Sequence, residues 1–158
     1  MIVIKDINIS HRNALEDILK RIHNFSEEEK SIGIELIDSA ISGNNQSDYI
    51  VRVGSIGNQV VGYYCIGRRA LTDGVYDLYW IVVDPDKFGT GIGSKLLEDA
   101  EIYISNKNGR LILAETSSRK DYDLTRRFYI KNKYSELAII KDFYKKSDSL
   151  VIFGKYLN

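Results

Sequence analysis

Apolar residues run almost without a break from Leu78 to Val83, the pattern of a strand covered on both faces. Asp84-Pro85 ends it, because proline has no N–H to give a sheet and restricts the residue before it. Gly89, Gly91 and Gly93 follow at every second position, and then Ile92, Leu96, Leu97, Ala100 and Ile104 recur with helical spacing. The centre of the chain therefore reads strand, glycine loop, helix. Before it, Ile2–Ile4 predicts a short strand. Ser10 caps a helix carrying Leu15, Ile18, Leu19 and Ile22. Ser26-Glu27-Glu28-Glu29 has capping-box spacing for a second helix, with Ile34, Ile37 and Ile41 inside and a stop at Gly43-Asn44-Asn45. Tyr49–Val53 and Val60–Ile66 read as strands joined by the hairpin Gly54-Ser55-Ile56-Gly57-Asn58.

After the central helix, Asn106–Gly109 is a stop, and Leu111–Thr116 is an apolar strand placed to run parallel to the first through a helical crossover. Asp121 or Asp123 caps a helix bearing Leu124, Phe128 and Tyr129, which ends near Asn132–Tyr134. Leu137–Ile140 and Leu150–Phe153 make a last hairpin through Phe143–Asp148. Seven strands and four helices in this order predict an α/β chain with a mixed sheet.

Alternating glycines ahead of a helix let a ligand lie against bare backbone, facing the helix's unpaired N–H groups and its positive dipole end, a setting for phosphate. A Walker loop needs Lys-Ser/Thr directly after the last glycine, whereas Gly93 is followed by Ser94-Lys95. A dinucleotide fingerprint fits better, with Gly89-x-Gly91-x-x-Ser94 and Glu115 about 20 residues on. It should follow its strand at once, and Asp84–Phe88 intervene.

Composition narrows the classes. At 158 residues, positions 1–158 are expected to form one domain, and 44% hydrophobic with 28% charged residues is ordinary for a soluble globule. A net charge of zero provides no global field for nucleic acid or an anionic membrane. The single cysteine, Cys65, forms no internal disulfide and suits a reducing compartment. With no charged leader and no run of 18 apolar residues, a cytoplasmic location is expected. No Cys/His/Asp cluster has metal-ligand spacing, so no metal is expected, and no Gly-x-Ser-x-Gly turn supports a serine hydrolase.

Val83-Asp84-Pro85 and Phe88-Gly89-Thr90-Gly91-Ile92-Gly93 resemble the coenzyme A loop of the GNAT superfamily of N-acetyltransferases, Gln/Arg-x-x-Gly-x-Gly/Ala after a strand ending Val-x-Pro. Phe88 departs from the usual Gln or Arg. The element order is also the superfamily's, so the resemblance covers the whole chain. It implies a GNAT-like fold with a central seven-stranded mixed sheet and about four helices. It implies acetyl-CoA as cosubstrate, its pyrophosphate held by main-chain N–H groups of Gly89–Ser94 (Gly89, Thr90, Gly91, Ile92, Gly93 and Ser94) and its thioester aligned by Ile81, Val82 and Val83, where two central strands separate. The acceptor it implies is a primary amine of a small molecule or of a peptide or protein N-terminus, attacking directly in a ternary complex.

Thr125–Tyr134 is similar to the superfamily's Ala-x-x-Phe/Leu-Tyr-Glu-Lys-x-Gly-Phe, which puts Tyr129 where a tyrosine protonates the CoA sulfur. Thr125 and Lys133 depart from the small alanine and the helix-stop glycine, and Tyr122 stands where an asparagine often meets the pantetheine. The same resemblance implies a base: Glu115 is similar to the glutamate of the ribosomal-protein alpha-N-acetyltransferases and is the preferred one, and Asp77 corresponds to the acid other members use, either acting through water; as purely structural groups they would pair with Arg119 or Arg68. Two other classes stay open, a catalytically silent acyl-CoA-binding module and a nucleotide-binding module. The assembly state is open as well, with a homodimer among the options.

Overall fold

A computed structural model describes residues 1–43 and 49–157. The elements are β1 (Ile2–Asp6), α1 (Arg12–Lys20), α2 (Glu27–Ser42), β2 (Ile50–Ile56), β3 (Gln59–Arg68), β4 (Val75–Val83), α3 (Ile92–Asn106), β5 (Leu111–Ser117), α4 (Asp123–Lys131), β6 (Ser135–Lys145) and β7 (Asp148–Tyr156). They form one seven-stranded sheet in the order β1-β2-β3-β4-β5-β7-β6. Among the described residues only β4 and β5 run parallel, as expected for two strands joined through a helix. Seven strands and four helices in a mixed sheet match the expected fold class.

Two apolar layers hold the sheet. On one face Leu15, Ile18 and Leu19 of α1 and Ile37 of α2 close on Val51, Val53, Tyr63, Cys65 and Val82. On the other, Leu96, Leu97, Ala100 and Ile104 of α3 and Tyr129 of α4 close on Tyr64, Ile66, Leu78, Ile112, Ala114 and Phe153. Side chains alternate between faces along each strand, so near-continuous apolar runs feed both layers. The first layer takes no residue from β5, β6 or β7 among those described, so the α1/α2 face is uncovered beyond β4. Among the described residues no helix is long and apolar enough to cross a membrane.

The Ser26–Glu29 capping box forms as expected, each partner's side chain accepting from the other's backbone N–H. Gly43 ends α2 in the left-handed conformation, while Asn44 and Asn45 lie outside the described residues. Other boundaries differ. Ser10 does not cap α1: Asn8 accepts from Ser10 N at 2.9 Å and opens a short 3-10 turn ahead of the helix. Neither Asp121 nor Asp123 caps α4. Asp123 instead lies in its first turn, beside the positive end of the dipole, and pairs with Arg127 at 2.9 Å. The β2–β3 turn is only Gly57-Asn58, because β2 runs on to Ile56 with Gly57 at φ 58°.

Lys133 explains how α4 ends without a glycine. It adopts φ 70°, its N–H bonds to Ile130 O at 3.0 Å, and Tyr134 N–H reaches back to Tyr129 O at 3.0 Å. These are the two bonds of a Schellman stop, completed by ring contact between Tyr129 and Tyr134 at 5.5 Å. A side chain at positive φ is strained, so Lys133→Gly is expected to stabilise the protein by about 0.5–1 kcal/mol, net of the extra freedom glycine brings to the unfolded chain. Calorimetry should show Tm rising by about 1–4 °C; no rise would mean the strain is absent.

Candidate active site

The site begins where the sheet comes apart. β4 and β5 pair from Val75↔Leu111 to Leu78↔Ala114 and no further, though β4 continues to Val83 and β5 to Ser117. Each strand keeps its outer partner to the end, Val83 against Gly62 and Ser117 against Leu150. Divergence coincides with a bulge. Cys65 pairs with Trp80 and Ile66 with Leu78, leaving Tyr79 as the extra residue on β4. The edge of β4 facing β5, over Tyr79–Val83, therefore has backbone groups free of the ladder. Ile81 and Val83 lean on the α3/α4 layer and Val82, 3% exposed, on the α1/α2 layer, so what the expected thioester-aligning residues offer the gap is main chain.

The glycine loop hangs from the end of β4. Asp84, itself 3% exposed, caps the turn Pro85–Lys87, with Oδ1 accepting from Asp86 N at 3.0 Å. Gly89 and Gly91 then take φ 76° and 85°, and a Cβ built on either meets no atom within 4 Å. Gly91 is also the N-cap of α3 and provides no side-chain cap, so the first helical N–H groups, from Ile92, Gly93 and Ser94, face out past an open cradle. Thr90 Oγ1 is turned back to Lys87 O at 2.5 Å, which fixes the loop from inside. Gly93 has a different reason to be small. A Cβ there would lie 3.1 Å from the Phe128 ring, so it allows α4 to approach the start of α3. Phe88, at the departed position, is 63% exposed.

On the α1/α2 face, the two candidate carboxylates meet one cation. Asp77, on β4 before the divergence, accepts from Arg69 Nη2 at 2.6 Å and Nε at 3.1 Å. Glu115, just past the last paired residue of β5, lies 3.8 Å from the same Arg69 and keeps an exposed side chain. The expected partners Arg68 and Arg119 are displaced by Arg69, which emerges just past β3 on this face. No feature of the sequence distinguishes Arg69 from its neighbour Arg68. The same face carries aromatic side chains, Tyr79 against Tyr49 at 5.3 Å and Trp80 against Phe25 at 4.9 Å, while Phe143 and Tyr144 of β6 are half-exposed. Burial, then the charges of Glu115, Asp148 and Glu29, raise the Tyr144 phenol above its usual range. Of the carboxylates on α2, Glu29 closes the capping box with Ser26, and Asp38 is held by Arg12 at 2.9 Å.

Tyr129 lies across the sheet, in the layer beneath α4. Its ring stacks on Phe153 at 5.7 Å and 21° and meets Phe128 edge-on at 5.3 Å. Burial pushes its phenol well above the usual value near 10. Arg126 fastens the helix that carries it, donating to Ser117 O at 2.6 Å and Arg119 O at 2.9 Å at the end of β5. Since Phe128 touches Gly93, Tyr129 and the glycine loop are one residue removed from contact. The Arg119 guanidinium lies over the Tyr122 ring at 5.2 Å, and burial, then the charge of Glu29, raises the Tyr122 phenol above its usual range.

Comparison with known proteins agrees with this fold. The acetyltransferase (GNAT) domain family matches residues 45–136. A Desulfovibrio desulfuricans protein, described as a candidate acetyltransferase of the GNAT family, superposes with a TM-score of 0.95 at 28% identity, covering 100% of both chains. The Escherichia coli ribosomal-protein-S18-alanine N-acetyltransferase shares the fold at TM-score 0.77 and 17% identity, over 100% of this chain and 95% of its own. The PaiA N-acetyltransferase of Thermoplasma acidophilum, solved with coenzyme A, gives 0.75 and 17% over 99% of each chain. Among curated proteins no match is found.

Proposed function

The chain belongs to the GNAT acetyltransferase family, and from that premise we propose that it moves an acetyl group from acetyl-CoA to a primary amine, the two substrates meeting in the gap between β4 and β5. Residues 1–158 act as one domain. The observation that carries the reading is the open cradle at Gly89 and Gly91 beside an uncapped helix end, a setting that suits a diphosphate. Acetyl-CoA supplies the activated acetyl thioester. The amides of Gly89–Ser94 bind its phosphates, and the free β4 backbone at Ile81–Val83 orients the carbonyl and stabilises charge developing on its oxygen. Tyr129 holds a proton toward the sulfur. Glu115 takes the acceptor's proton through water, since Asp77 is already committed to Arg69. Carboxylates and aromatic faces together favour a cationic amine at this mouth.

The test is a thermal-shift comparison of CoA, acetyl-CoA, NAD and ATP, followed by thiol release across a panel of amines and N-terminal peptides. Stabilisation by the two coenzyme A species alone, and release with at least one amine, is the expected result. Stabilisation by NAD or ATP instead would overturn it. Once an acceptor is found, Glu115→Gln should lower kcat/KM by about 10²-fold below neutral pH, with partial recovery in alkali as the free amine accumulates. Asp77→Asn should change stability more than rate. A flat response to both variants would leave solvent as the base.

A further inference from the structure

The start of the glycine loop is tied to a helix on the opposite layer. Asp84 is one of few buried charged groups among the described residues, and it is not left alone: Arg21 Nη1 donates to its Oδ1 at 2.8 Å. Arg21 is the residue that ends α1, 63 positions away, and its guanidinium is shared with Asp17 at 3.0 Å and Asp86 at 3.4 Å. From Asp84 the bonding runs straight into the loop. Its carbonyl accepts from Lys87 N at 2.8 Å, and Lys87 O in turn holds Thr90 Oγ1, between the two glycines of positive φ. In the other direction, Arg21 opens the short α1–α2 connection that sets Phe25 against Trp80 on β4.

A neutral Asn or Ser would cap the Pro85–Lys87 turn equally well without the desolvation cost of a charge. What the charge adds is a fixed bearing of that turn on α1. We infer that Arg21 is a positioning residue: through Asp84 it holds the loop in the orientation that aligns the Gly89–Ser94 amides, and it locks the loop to the wall carrying Phe25. The inference rests on the proposed binding of acetyl-CoA by that loop. Arg21 is not among the residues assigned to acetyl-CoA or the acceptor.

Two measurements separate this from the proposed function and from simple loss of stability. In the ligand-free full chain, hydrogen exchange of the Lys87 and Thr90 amides should accelerate in Arg21→Ala by about tenfold more than in core strands. Calorimetric titration with acetyl-CoA should then show affinity about tenfold lower, with Arg21→Lys regaining most of the loss. The double variant Arg21→Met/Asp84→Asn strands no charge, and it should lose affinity likewise if Arg21→Ala folds poorly. Loop exchange unchanged, or affinity within twofold of the parent despite a loosened loop, would overturn the positioning role. A parent that binds no acetyl-CoA would instead overturn the functional reading, and the inference with it.

Discussion

A protein with valine at position 91 is expected to bind acetyl-CoA about 100-fold more weakly than the parent, a loss of roughly 2.7 kcal/mol by titration calorimetry. Two effects add. Gly91 has φ 85°, where a β-branched residue is a true outlier, so the loop must rotate and turn its amides away. The added side chain also projects into space that no protein atom approaches within 4 Å, which is the space assigned to the ligand. The fold itself has no packing reason to object. Gly93 provides the contrast: Gly93→Ala crowds Phe128 from 3.1 Å and should disturb the seating of α4 before it disturbs phosphate binding. Near-parental affinity in Gly91→Val would remove the loop from the account.

Tyr129→Phe carries the second large effect. Turnover should fall by about 10²-fold, while acetyl-CoA affinity stays within about twofold. The substitution keeps the ring on Phe153 and deletes only a hydroxyl, so the fold should persist. The direction of the phenol's pKa refines the role. Raised by burial above 10, it is a weaker acid than a free tyrosine, and weaker than an ordinary alkyl thiol such as that of cysteine, near 8.5. Complete transfer to the sulfur runs uphill, so the chief contribution is a hydrogen bond to the thiolate as charge develops there. The amine's released proton restores neutrality through solvent. Because the group stays protonated across the neutral range, no tyrosine limb should appear in the rate profile below pH 10. Stopped-flow measurement of thiol release under saturating acetyl-CoA checks both points, and an unchanged rate would take Tyr129 out of the chemistry.

What the sequence made legible is local. The apolar run ending at Val83, the glycines and the periodic helix from Ile92 are short-range patterns, and each leaves a direct imprint on residue order. The Ser26–Glu29 box is of the same kind. The site's working geometry is not. The Tyr79 bulge depends on how β3 pairs with β4, and nothing at Tyr79 itself announces an extra residue. Parting of the sheet after Leu78 and Ala114 follows from that long-range register. Arg69 over Asp77 and Glu115, and Arg21 over Asp84, are ion pairs between elements that the fold alone brings together. β6 is longer than the apolar stretch Leu137–Ile140 predicts, for a further reason. All 11 of its residues are exposed, so Ser135–Glu136 and Lys141–Lys145 lack the alternation that a half-covered strand shows.

Every role proposed here descends from one contact, diphosphate against backbone at the head of α3. A crystal structure with acetyl-CoA addresses it directly. Pyrophosphate oxygens are expected within hydrogen-bond reach of amides between Gly89 and Ser94, with the thioester entering the gap beside Ile81–Val83. A coenzyme bound elsewhere, or a loop whose amides remain turned to water, would contradict it.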